Sequence, residues 1–278
     1  MYDGLVEKYE NDDYLLEIHL DYYPENPREW DNLGTIVTRH REYGLGDVSY
    51  NRYDGDMYDM LIDELCNEFG MYREDVENEE DEEELLDRVI YLPISMYDHN
   101  YIHLSIGSRN QIGWIYCTKE KANEWTGYTE KELYLGEPDR EPDVGEHVKT
   151  EYFNDRWGEV ISKNDEGYFI DFDYHKITNA RDEKNKVYVL KEKITEVMSN
   201  RAENNLRLEL ETYDNYVSGS VYKFNFKKKE RCDCCNNVEE IIVDSCAGFY
   251  GYDIEDNGMF SCLPEEARKL YENNKDVA

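Results

Sequence analysis

Apolar residues recur at helical spacing at Met57, Met60, Leu61, Leu65 and Phe69, which predicts a helix over 56–70 with Gly70 as its stop. Elsewhere the pattern is mostly that of short strands. Residues 14–20, Tyr-Leu-Leu-Glu-Ile-His-Leu, read as an opening strand, and the Pro- and Asn-rich stretch 22–34 as a shaped loop before Thr35–His40. Residues 89–95 and 101–106 read as two strands around the turn 97–100, and 112–117 as a third. A helix is expected from Thr118, whose hydroxyl suits a cap, and another over about 191–210. Tyr213–Ser220 then leads into a strand at 221–226. Its return is at 240–244, followed by an aromatic-glycine loop at 248–253 and a last helix from Pro264 to Asn273.

The middle of the chain changes character. Residues 137–143, Glu-Pro-Asp-Arg-Glu-Pro-Asp, read as a linker. The stretch 144–190 then breaks into short strands separated by turn residues. Gly145-Glu146-His147-Val148 followed by Gly158-Glu159-Val160 resembles the paired strands of a small SH3-like barrel. The expected class is α+β: a mostly antiparallel central sheet with flanking helices and an inserted small SH3-like β-barrel. On this reading 1–136 and 191–278 form the main domain and 143–190 the insert.

Charge changes the picture most. The chain carries 65 Asp and Glu against 31 Lys and Arg, a net −34 over 278 residues. The excess is not a detachable tail, since 1–142 hold 36 acids and 12 bases and 143–278 hold 29 and 19. So acidic a body repels nucleic acid and anionic membrane and attracts basic protein surfaces. Such surfaces belong to proteins that neutralise phosphates. Low hydropathy with high charge suggests disorder, but 26 Tyr, 8 Phe and 4 Trp spread along the chain argue for a fold. No stretch approaches the roughly 20 apolar residues of a membrane span. The N-terminus lacks a signal pattern, and seven Cys without scaffold spacing read as reduced thiols.

The candidate partner-binding residues are Asp54, Asp56, Asp59, Asp63, Glu64, Glu74, Asp75, Glu77, Glu79, Glu80, Asp81, Glu82, Glu83 and Glu84. Nine of the eleven residues from Glu74 to Glu84 are acids; such a run is a solvated loop or frayed helix end, or, if ordered, a phosphate-like ladder. Glu29, Trp30, Asp31, Asn32, His40, Arg41 and Asp47 gather acids, a base and an imidazole, and Asp98, His99 and His103 lie near the second hairpin. With no His-Glu-x-x-His spacing, the plainer reading is that Trp30 and Asn32 fix a loop and His40 and His99 sit at its edge. Cys232 and Cys235 form a Cys-x-x-Cys pair with Cys234 between them, half a zinc site. If 221–229 and 240–245 pair, Cys246 lies about 20 Å or more from that tip, which disfavours a four-thiolate site in one chain. Lys227-Lys228-Lys229 is the one basic cluster and reads as local charge balance. No phosphate loop, nucleophile elbow or dinucleotide fingerprint is present, so no cofactor and no catalytic residue is expected.

Three groups of segments carry a resemblance: Asn26–Thr35 with His40–Asp47; Tyr97–His99 with Gly113–Glu120; and Tyr213–Gly219 with Asp244–Gly251. On these the chain resembles a family of largely uncharacterised acidic proteins of bacteriophages and mobile elements, within about 20–120 and 205–255. The stretch near 137–190 falls outside the match. The resemblance implies phage origin, the cytoplasm of an infected bacterium and an anti-defence role of the anti-CRISPR or anti-restriction kind. The expectation is a stoichiometric inhibitor that mimics nucleic-acid charge and grips a basic nucleic-acid-binding defence protein, without touching nucleic acid or membrane. Homo-oligomers stay open. The alternatives are a metal-assisted hydrolase or nucleotide-signal-degrading enzyme using His40, His99 and nearby acids, and a phage structural or transcription-modulating protein.

Overall fold

The computed structural model describes residues 4–76, 78–99, 101–127, 141–152, 158–172, 186–197 and 201–274. In chain order the strands and helices are β1 (Leu5–Glu10), β2 (Tyr14–Leu20), β3 (Thr35–Arg39), β4 (Val48–Tyr50), α1 (Met57–Phe69), α2 (Glu79–Leu86), β5 (Val89–Asp98), β6 (Ile102–Ile106), β7 (Gln111–Thr118) and α3 (Lys119–Thr126). Then follow β8 (His147–Thr150), β9 (Gly158–Lys163), β10 (Gly167–Asp171), β11 (Lys186–Leu190), β12 (Ile194–Val197), α4 (Arg201–Val217), β13 (Val221–Arg231), β14 (Val238–Tyr250), α5 (Met259–Cys262) and α6 (Glu265–Asn274). The protein is α+β. Its strands form three sheets instead of one central sheet, in the orders β1-β2-β13-β14, β4-β3-β7-β5-β6 and β11-β10-β9-β8-β12. Among the described residues the strand pairings with a defined register are antiparallel except that of β3 with β4.

The chain divides into two compact units, one of 1–32, 94–112 and 208–278, the other of 33–93 and 113–207. The first has a core of Leu16, Ile18, Phe224, Phe226 and Phe249 from its four-stranded sheet, closed by Met259, Leu263, Ala267 and Leu270. The last two lie on α6 at i and i+3, the spacing that puts them on one helix face. In this sheet β14 is an edge strand paired only with β13, and its positions 238–248 are all exposed.

The second unit builds one core on α1. Met60, Leu61, Ile62, Leu65 and Cys66 are buried there with Val37, Val76, Leu85, Val89 and Tyr116. The helix begins at a capping box, in which the Asp56 carboxylate accepts from the Tyr58 and Asp59 amides and Asp59 reaches back to the Asp56 amide. It stops where the periodicity predicts, at Gly70, whose φ of 65° a Cβ would disfavour. The Trp114 indole N–H donates to Met57 O at 2.6 Å and anchors the first turn. A separate cluster of Val148, Val160, Tyr168, Ile170, Val189 and Val197 lies inside the five strands β8–β12.

Four expectations are corrected. A strand, β1, precedes the opening strand at 14–20; only Tyr9 of it is buried, so it carries no alternation to read. The helix expected over 191–210 is instead the strand β12, paired with β8, followed by α4 over 201–217. Ala202, Leu206, Leu210 and Tyr213 bury one face of α4 and carry it past 210, the expected end of the helix. The return strand runs from 238 to 250, well past 240–244, and takes in the first part of the aromatic-glycine loop. Residues 137–140 of the expected linker, Asn100 of the 97–100 turn and Trp157 lie outside the described residues.

Candidate functional site

The described residues of the acidic run 74–84 take regular structure. Glu74 and Asp75 sit in a short 3-10 turn at Arg73–Asp75, and Glu79–Glu84 form the first six residues of α2. Its first-turn amides need an acceptor, and the Asn78 side chain takes those of Glu80 and Asp81 at 2.9 and 3.2 Å. The buried Val76 and Leu85 pin the segment at its two ends. Glu79, Glu80, Glu83 and Glu84 are exposed; Asp81 and Glu82 are half-buried. The exposed four fall at i, i+1, i+4 and i+5, one stripe of the helix. Glu77 lies outside the described residues.

Arg73 is the cation of this face. Its guanidinium lies 3.2 Å from Asp63, 3.1 Å from Glu82 and 3.9 Å from Asp59, and donates to Val76 O at 2.8 Å. Asp59 and Asp63 are therefore partly engaged inside the unit, and Tyr53 also donates its phenol to Asp63. Asp54 and Asp56 are exposed at the start of α1. Glu64 differs from the others: it is 6% exposed and its carboxylate accepts from the Tyr50 phenol. That bond holds the Tyr50 proton, pushing the phenol up to about 12. Two tyrosines border the carboxylates. Tyr72 is 79% exposed, and Tyr58 is pushed up by burial and by Glu82, Glu83 and Glu79 around it. Arg73, Asn78, Tyr58 and Tyr72 were not singled out from sequence, although an Asn followed at once by acids is a legible helix start.

The residues of the family-like loop serve the fold. Asn32 Nδ2 donates to Pro27 O and Trp30 O, each at 2.9 Å, and the Trp30 ring meets Tyr250 edge-on at 5.3 Å. Asp31 is exposed. Asp47 clasps β3: its carboxylate accepts from Ile36 N at 2.7 Å while its own amide donates to Ile36 O at 2.8 Å. Gly46, at φ 79°, makes that clasp available, because a Cβ there would stand 2.4 Å from Ile36 Cγ2. His40 Nδ1 accepts from the Glu42 and Tyr43 amides, and its ring stacks on Tyr43 at 5.0 Å. His99 lies against Tyr97, and His103 Nδ1 is 3.5 Å from Asp214.

Among the described residues, the one group of three or more His, Cys, Asp or Glu side chains within metal-holding reach is Cys232, Cys234 and Cys235. The imidazoles and carboxylates near His40 and His99 form no such group. The three thiols occupy the tip of the β13–β14 hairpin. Cys232 Sγ is 2.8 Å from Cys234 Sγ, and the neighbouring thiols hold the Cys232 thiol down at about 7. Each lysine of 227–229 is matched by carboxylate: Lys227 by Glu17 and Glu240, Lys228 by Glu230, Lys229 by Glu10. No described helix is long and apolar enough to cross a membrane.

Comparison with protein-family profiles, with curated proteins and with solved structures returns no match.

Proposed function

We propose that the chain is a stoichiometric protein inhibitor that occupies the nucleic-acid site of a basic partner. One observation carries this reading, the ordered acidic helix. Four exposed acids on a helix of eight residues, at 1.5 Å of rise each, set about one carboxylate per 3 Å of axis. One strand of duplex DNA carries about one charge per 3.4 Å. A partner groove built for phosphate therefore meets a similar line density of charge, on a rigid element. Glu79, Glu80, Glu83 and Glu84 form the stripe, the exposed Asp54, Asp56, Glu74 and Asp75 add charge in the same unit, and Tyr58 and Tyr72 add the aromatic contact area that interfaces favour. The partner class drawn from the family resemblance is a bacterial defence nuclease, of the CRISPR or restriction kind, met in the cytoplasm of the infected cell. The sheet β8–β12 is taken as a small SH3-like barrel.

The experiment is purification of the tagged chain from defence-bearing bacteria at low and at high salt. A stoichiometric nuclease that is lost as salt rises supports charge mimicry, since screening removes steering and exposed pairing. A partner retained at high salt refutes the mimicry and leaves steric blocking; no partner at either salt refutes the binder. Replacing Glu79, Glu80, Glu83 and Glu84 by Gln is expected to slow association with a confirmed partner by about 10–100-fold, read by stopped-flow.

A further inference from the structure

Cys232-Asp233-Cys234-Cys235-Asn236-Asn237 closes the β13–β14 hairpin, and its backbone is fixed by two hydrogen bonds. Cys232 N donates to Asn237 O at 2.8 Å and Asn236 N donates to Cys232 O at 2.9 Å. Asn236 takes a φ of 60°, which turns the chain back toward β14. Loop closure of this kind leaves thiols free to splay into solvent, yet all three sulfurs lie within 4.8 Å of one another. A tetrahedral thiolate site with Zn–S near 2.3 Å places its sulfurs about 3.8 Å apart. The three sulfurs are thus already gathered near the spacing such a site needs.

A fourth thiol from β14 is out of reach. Cys246 pairs with Phe224 in the body of the sheet, eight residues along β14 from Val238, or about 26 Å from the tip. We infer that Cys232, Cys234 and Cys235 form a three-thiolate site for a soft divalent d10 cation, Zn2+ or Cd2+, with one coordination position open to solvent. Thiolate donors select this class over Mg2+ or Ca2+, which take oxygen ligands. The adjacent lysines do not oppose the cation strongly, because each is matched by a carboxylate. The inference is independent of the acidic stripe and of any nucleic-acid site.

The test is an anaerobic titration of the reduced full chain with Cd2+, followed by sulfur-to-cadmium charge-transfer absorption, with Zn2+ then added as competitor. About one equivalent per chain is expected to saturate the band, and Zn2+ to remove it. Cys232→Ser, Cys234→Ser and Cys235→Ser are each expected to lower the band by about a third and to weaken binding at least ~10-fold. Cys246→Ser, also exposed, is expected to change nothing. The tip is exposed, so circular dichroism should be unchanged in every variant. Binding that ignores the three substitutions, that is lost in Cys246→Ser, that saturates at half an equivalent, or that never saturates overturns the site.

Discussion

Glu64 and Asp214 carry the same functional group as the solvent-facing acids of α2 and serve the opposite end. Glu64 is buried and accepts from the Tyr50 phenol; Asp214 is half-buried, accepts from the Leu104 amide at 2.6 Å and lies 3.5 Å from His103. Burial pushes the Asp214 carboxyl up, against the opposing pull of the Leu104 N–H and of His103. A carboxyl raised in the folded state binds its proton more tightly there than in the unfolded chain. Its contribution to stability is thus complete below the ordinary carboxylate range, near pH 4, and is lost as pH rises through the raised value. Asp214→Asn keeps an acceptor for Leu104 N–H and abolishes that titration. Urea unfolding of both proteins between about pH 4 and 7 should show a shallower decline with rising pH in the variant; the other acids titrate in both, so equal slopes refute the assignment. Sequence shows where the acids are but not which are buried: nothing around Glu64 or Asp214 in the chain marks them off from Glu79 or Glu80.

At the scale of elements, α2 is held against its own composition. Glu79 faces Glu83, and Glu80 faces Glu84, at i,i+4, where like charges destabilise a helix by a few tenths of a kcal/mol per pair. Acids in its first turn suit the helix dipole, but no base occupies its last turn. The Asn78 cap, the buried Leu85 and the Arg73 pairings offset this. Asn78→Ala is expected to cost about 1 kcal/mol, seen as faster amide exchange confined to residues near 79–86; unchanged exchange there refutes the cap's role. What sequence made legible follows the same division. The α1 spacing, Gly70, the Thr118 cap and α6 were readable because local periodicity and capping residues agree with the fold. The order of α2 was not, since it rests on Arg73 reaching Asp63 on another helix. The chain shows three clustered Cys, but not that their sulfurs converge. The length of β14 was hidden too, because Val238-Glu239-Glu240-Ile241-Ile242-Val243 has no alternation, as befits an edge strand exposed on both faces.

On the scale of the whole molecule, a net charge of −34 governs encounters at a distance. It favours basic partners and holds copies of the chain apart, and both effects act through the solvent. Raising salt from about 0.1 to 1 M shortens the screening length from about 10 to 3 Å. Copies then approach with β14 uncovered, an edge whose Ile241, Ile242 and Val243 are 40%, 56% and 52% exposed. Light scattering is expected to report salt- and concentration-dependent self-association, and Val243→Lys to suppress it. A constant mass up to 1 M salt refutes this.

The open side of β14 therefore gives the acidity a second meaning. Short edges, prolines and inward-pointing lysines are the usual means of keeping one sheet from extending into another. Here eleven consecutive exposed positions lie along one margin, guarded in the strand only by Glu239, Glu240 and Asp244, and the net charge of the whole chain adds a guard that acts through the solvent. On the proposed reading, the ionic strength that would strip a basic partner from α2 would also let two margins zip together, so release of that partner and self-association would be set by a single variable.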